Sequence, residues 1–121
     1  MVFKSGLFDI IGHIDLAKKF AYYPSFNLTD IYLSTARVLK DFDIVFELNT
    51  SGMDKDCKEF YPSDKFLEIL YKFGVPVTLG SDSHEINQLA RYFDIAIEKL
   101  KRIGYNSLAV FSNRKRSFLH I

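Results

Sequence analysis

The chain has 121 residues, 48% of them apolar, a length and composition that suit one small domain with a packed core. Its 16 basic and 15 acidic side chains nearly cancel, which argues against the broad positive field of a protein that grips nucleic acid through phosphates and leaves any phosphate recognition to local groups. No apolar run approaches the roughly 20 residues that cross a bilayer, no basic segment followed by an apolar stretch opens the chain, and one cysteine, Cys57, is compatible with a reducing cytosol, so the expectation is a cytoplasmic protein without membrane contact.

Repeats, low-complexity tracts and Pro/Gly/Ser-rich linkers are all absent from the sequence, and residues 1–121 read as a single domain. The first predicted strand is 8–12, ending at Gly12, with His13 next and Asp15 two positions later. Asn27 or Thr29 can cap a helix to about residue 40 that places Leu28, Ile31, Tyr32, Thr35 and Leu39 near one face. A second strand follows at 44–48. Within it Glu47 points either into a polar interior, supporting a ligand from behind, or outward at the strand end, and Asn49 comes just after. Ser63 is the expected N-cap of a helix that buries Phe66, Leu67, Leu70 and Tyr71 and stops at Gly74. The strand 75–79 leads into Gly80-Ser81-Asp82-Ser83-His84, where Gly80 permits the turn. Asp82 and His84, alternate residues of an extended continuation, share a direction and converge. Ile86, Leu89, Ala90, Phe93, Ile97 and Leu100 recur at helical spacing up to Gly104, and 107–111 forms a fourth strand. The basic tail Asn113-Arg114-Lys115-Arg116 reads as a solvated terminal segment, and Cys57 as a small semi-buried or neutral loop residue.

Strand and helix alternating four times predicts parallel βα units with right-handed crossovers, in an open sheet or a partial barrel. His13, Asn49, Asp82 and His84 all fall at or just past strand ends, the edge where such folds place their sites. His13, Asp82 and His84 together form a candidate metal site. Lys18, Lys19, Lys55 and Arg91 are candidate cations for a phosphoryl group, although each alone reads as a solvated surface charge. Tyr22-Tyr23-Pro24, after the His13 loop, is a candidate substrate wall.

Four segments in order carry a family resemblance. Phe8-Asp9-Ile10-Ile11-Gly12-His13-Ile14-Asp15-Leu16, Glu47-Leu48-Asn49-Thr50-Ser51-Gly52, Tyr61-Pro62-Ser63 and Gly80-Ser81-Asp82-Ser83-His84 resemble the successive motifs of histidinol-phosphatases of the PHP (polymerase and histidinol phosphatase) family. The resemblance implies a distorted (β/α)7 barrel that holds two or three metal ions and hydrolyses L-histidinol phosphate to L-histidinol in histidine biosynthesis. It covers only the carboxy-terminal part of that family. A whole barrel takes on the order of 250 residues, so the implied fold is α/β, with parallel βα units forming about half of a PHP-type (β/α)7 barrel.

The resemblance also assigns roles. By it His13, Asp82 and His84 occupy ligand positions for zinc, manganese or iron ions; Asn49 from its strand-end place, and Lys55 and Arg91 from their charge, are the candidate substrate-binding residues. The family's amino-terminal His-x-His pair has no counterpart, because the only histidines are His13, His84 and His120. After Asn49-Thr50-Ser51-Gly52 related enzymes often carry an Arg, where this chain has Met53-Asp54-Lys55. The implied partners are a phosphorylated small molecule and either a complementary amino-terminal half-barrel or further copies of this chain. Met1 followed directly by a mid-barrel motif favours a truncated product. Two alternatives stand beside this reading: a non-catalytic remnant whose open sheet edges bind another chain, and a PHP module of another kind, serving a polymerase or acting on other phosphoesters such as nucleotides.

Overall fold

The structure, a computed structural model, describes residues 5–121. Three strands, β1 (Ile10–Ile11), β2 (Val45–Asn49) and β3 (Val77–Gly80), form a parallel sheet in the order β1-β2-β3. Ile10 lies opposite Val45, and the β2–β3 ladder runs from Phe46 opposite Val77 to Asn49 opposite Gly80. β2 is covered on both faces, so Val45, Phe46, Leu48 and Asn49 are all buried, as a central parallel strand requires.

The crossover from β1 to β2 contains α1 (Thr29–Asp41), and that from β2 to β3 contains α2 (Asp64–Lys72). The N-cap position of α1 falls to Leu28 rather than to Asn27 or Thr29, although Asn27 Oδ1 accepts from Thr29 N (2.9 Å) and Oγ1 (2.6 Å) just before it. Ala36 and Leu39 carry the buried face, and Tyr32 stacks on Phe66 of α2 with centroids 4.2 Å apart, whereas Ile31 is half exposed. α2 buries Phe66, Leu67, Ile69 and Leu70, but Tyr71 remains partly exposed. Gly74 (φ +67°) closes this helix in the left-handed conformation that its position demands. Ser63 does precede α2, yet its hydroxyl makes no cap bond; its backbone N–H instead donates to Asp15 Oδ2 (2.8 Å), which ties the helix start to the His13 loop.

The third helix is shorter than its apolar spacing predicts. Ile86–Gln88 is a 3-10 turn, and Ile86 and Leu89 are 96% and 74% exposed rather than core. Ala90 and Tyr92 both have positive φ, so α3 begins only at Phe93 and runs to Ile103, burying Ala96 and Leu100. Side-chain tethers explain the delay: Ser81 Oγ accepts from Ala90 N (3.1 Å) and Thr50 Oγ1 donates to Arg91 O (2.7 Å). These bonds bind residues 90–91 to the strand-end loops and compete with helix formation.

The fourth strand, β4 (Ser107–Ser112), packs beside β3 but does not enter the parallel ladder. It pairs antiparallel with β5 (Lys115–His120), which corrects the expectation of four parallel units; the basic tail is largely solvent-exposed as expected, but ordered as one arm of a hairpin. Asn113 and Arg114, both at positive φ, make the two-residue turn that suits the twist of a hairpin. Arg114 then reaches Asp9 through two bonds (Nε–Oδ2 2.8 Å, Nη2–Oδ1 3.0 Å), and Arg116 reaches Asp43 Oδ2 (2.7 Å). The tail's cations therefore clasp the amino-terminal ends of β1 and β2. Among the described residues no helix is long and apolar enough to cross a membrane.

Candidate active site

At the carboxyl end of the sheet the central strand contributes Glu47, and the two flanking strands each contribute a glycine. A Cβ on Gly12 would lie 2.8 Å from Glu47 Oε2; one on Gly80 would lie 2.6 Å from Glu47 Cδ and overlap Oε1. Both positions are therefore glycine because the Glu47 carboxylate fills the space beside them. Gly80 ends β3 without a positive φ, so it is not the turn-former expected of it. The left-handed residues are instead His13 (φ 52°) and Asp82 (φ 47°). Such conformations cost of order 1–3 kcal/mol each in a non-glycine residue and persist where the surroundings enforce them.

Those surroundings are a hydrogen-bonded group. Glu47 Oε2 accepts from His13 N (3.3 Å) and Asn49 Nδ2 (3.1 Å) and lies 3.7 Å from His13 Nδ1. Asn49 Oδ1 accepts from Ser51 N (3.0 Å) and Ser51 Oγ (2.7 Å), and its Nδ2 stands 3.4 Å from His13 Nε2. The other approach to His13 Nε2 is made by Asp82 Oδ2, at 3.3 Å. Glu47 thus points inward, resolving the two orientations that its place in the strand allowed.

His13, Asp82 and His84 line one open cavity of about 770 Å³, together with Lys19, Lys55 and Arg91. The convergence of Asp82 and His84 is not that of an extended strand. Asp82 is left-handed, its carboxylate meets His13, and His84 Nδ1 lies 2.9 Å from the backbone oxygen of Asp82. Lys55 and Arg91 reach the cavity, Arg91 held by Asp54 Oδ2 (2.7 Å) and the carbonyl of Ser81 (3.3 Å). Tyr92 OH donates to the other oxygen of Asp54 (2.7 Å), so one carboxylate fixes both residues. Asn49 is fully buried behind the cavity wall, its amide engaged by Ser51, Glu47 and His13. Tyr61 supplies wall area as a neutral ring, since burial, reinforced by Cys57, pushes its hydroxyl far above the ordinary phenol range.

Two other expectations are corrected. Lys18 is not a solvated charge but a buried one, bonded to Asp15 Oδ2 (3.2 Å), Glu59 Oε2 (2.9 Å) and Phe60 O (2.7 Å). Its ammonium is matched by three acceptors, the condition under which a buried lysine survives. Tyr22-Tyr23-Pro24 lines a different, largely apolar pocket of about 400 Å³ next to α1, not the His13 cavity. The residues that sequence reasoning overlooked are Asp54, Thr50 and Ser81, which brace the loops. The flanking Gly12 and Gly80 around an acidic central strand were the one available sign of Glu47's position.

The donor set suits a transition-metal ion in type: an imidazole nitrogen and a carboxylate oxygen converge at Nε2 and Oδ2, with a second imidazole in the same cavity. Among the described residues, no three His, Cys, Asp or Glu side chains are gathered into a ready-made metal-binding group.

No protein-family model matches the chain. It is 32% identical to a probable histidinol-phosphatase of Deinococcus radiodurans over 93% of this chain and 42% of that protein. A probable histidinol-phosphatase of Schizosaccharomyces pombe is 29% identical over 84% of this chain and 35% of its own length. A solved structure from Listeria monocytogenes, provisionally named a histidinol phosphatase, superposes with a TM-score of 0.58 at 27% identity, covering 72% of this chain and 35% of that one. The chain therefore spans less than half the length of the relatives it matches.

Proposed function

We propose, for a chain related to histidinol-phosphatases along nearly its whole length, that it forms about half of a PHP-type (β/α)7 barrel and supplies part of a metal-dependent phosphoesterase site acting on L-histidinol phosphate in the cytoplasm. The observation that carries this reading is the meeting of His13 Nε2 and Asp82 Oδ2 at 3.3 Å, from two strand ends 69 residues apart. His13, Asp82 and His84 would hold zinc, manganese or iron. Such an ion, when bound, would make a water acidic enough to act at neutral pH and would offset charge on the phosphoryl oxygens.

The chain's own residues divide the remaining work. Lys55 and Lys19 bring positive charge to the cavity for the phosphoryl oxygens, and Arg91, braced by Asp54, offers a guanidinium of fixed orientation. Tyr61 shields one side from water. The remaining ligands, equivalent to the His-x-His absent from these 121 residues, would come from a further segment, whether of this polypeptide or of another. Among the described residues β1 is paired on one side only, by β2, which leaves an edge that can accept a further strand.

Elemental analysis after dialysis tests the metal site. The isolated chain should retain at most one transition-metal ion, weakly, and lose it in His84→Ala; two or more tightly held ions, or retention indifferent to His84, would contradict the assignment.

A further inference from the structure

We propose that Gln88 is a further substrate-binding residue of the His13 cavity, its side-chain amide donating to an oxygen of the phosphoryl group. Gln88 lines that cavity together with His84 and Arg91. Its oxygen end is engaged: Oε1 accepts from the backbone N–H of His84 (2.9 Å), and a backbone nitrogen only donates, so the atom facing it is the amide oxygen. The polar group that Gln88 has left for the cavity is therefore Nε2, which carries two hydrogens and accepts nothing. Among the described residues no acceptor takes either hydrogen.

The same residue is pinned at its backbone. Ser83 Oγ and the N–H of Arg91 both donate to Gln88 O (2.7 and 3.3 Å), and Gln88 N donates to Glu85 O (3.1 Å). Apolar burial does not place this turn, because Ile86 is 96% and Leu89 74% exposed; these hydrogen bonds do. Gln88 thus joins the Asp82–His84 loop to the segment carrying Arg91, and its donor has little side-chain freedom left to lose on binding.

The chemistry of the ligand follows from the neighbours. A group that offers only hydrogens calls for an acceptor. Besides the two histidines, the charged side chains of the wall are Lys19, Lys55 and Arg91 against Asp54 and Asp82, so an anionic acceptor suits the cavity better than a cationic one. A phosphoryl oxygen meets both conditions. That identification rests on the function proposed above, whereas the orientation of the amide rests on the His84 contact alone.

Titration of the nitrogen-15-labelled chain with inorganic phosphate, followed by NMR, reads the contact directly, the Gln88 side-chain NH2 pair being assigned by its loss in Gln88→Glu. That pair should shift as phosphate binds. Gln88→Glu keeps an oxygen for the His84 N–H but puts a carboxylate oxygen in place of the donor, and should weaken phosphate binding at least about tenfold with the His84 amide signal in place. Asn87→Glu adds the same charge one exposed residue away and should weaken binding less than about threefold. A Gln88 pair that stays still, whether or not other cavity signals shift, overturns the inference. So does equal weakening in the two variants, or none in Gln88→Glu. If the His84 amide signal moves in Gln88→Glu, the wild-type titration decides alone. The proposed function fails separately, on zinc retention indifferent to His84, and a responding Gln88 in a chain that ignores zinc would uphold the inference while refuting the metal reading.

Discussion

The carboxylate of Glu47 stands where a side chain at Gly80 would have to go: a Cβ there would lie 2.6 Å from Glu47 Cδ. The central strand's acid and the flanking strand's glycine are therefore one structural unit, and that unit sets the position of the loop carrying Asp82. Gly12 closes the other side, its Cβ position 2.8 Å from Glu47 Oε2.

Gly80→Ala should accordingly destabilise the fold by about 1–3 kcal/mol, as overpacking does. Removing the carboxylate as well, in Glu47→Ala/Gly80→Ala, should recover most of that loss. Urea denaturation of the single and double variants gives the coupling. Strictly additive effects would mean that the two residues do not compete for space.

Lys18 and Lys19 are adjacent in sequence and should respond in opposite ways. Lys18→Met leaves Asp15 buried without its cation and should cost about 3 kcal/mol, the low end for a broken buried pair because Glu59 stays half exposed. Lys19→Met should stay within about 0.5 kcal/mol, as surface changes do. Equal losses measured by chemical denaturation would refute the buried role of Lys18.

The hairpin clasp makes a pH prediction. The hydrogen bonds from Arg114 hold the Asp9 carboxyl below the ordinary carboxylate range, outweighing the opposing effect of burial. A depressed folded-state value means that this contribution is complete above the ordinary carboxylate pKa and is lost as pH falls through Asp9's own lower value. In an NMR titration Arg114→Ala should return Asp9 to the ordinary range, and salt should weaken the effect because the pair is exposed. An Asp9 midpoint that ignores Arg114 would rule the clasp out.

Much of this was legible in the sequence because burial on both faces leaves continuous apolar runs. β2 and β3 lie within two residues of their expected places, and Gly74 and Gly104 mark helix ends as their chemistry suggests. Long-range pairing was not legible. Nothing local in Asn113-Arg114-Lys115-Arg116 announces that Asp9 and Asp43, far back in the chain, will fold it into a hairpin. The same holds for α3, where Ile86 and Leu89 fit the helical stripe but Ser81 and Thr50 hold the backbone of residues 90–91 elsewhere. At the site, the strand-end positions of His13, Asp82 and His84 could be read from motif order, whereas the left-handed backbone of His13 and Asp82 and the inward carboxylate between them emerge only from packing.

The most direct test of the functional account is phosphate release from L-histidinol phosphate by the chain alone and after an amino-terminal histidinol-phosphatase segment carrying His-x-His is supplied in trans. The chain alone should be inactive. The reconstituted pair should turn over with zinc or manganese, and Asp82→Ala or His84→Ala in this chain should reduce that turnover by at least about 100-fold. Metal-dependent hydrolysis by the 121-residue chain by itself, or a reconstituted activity indifferent to Asp82 and His84, would contradict the account.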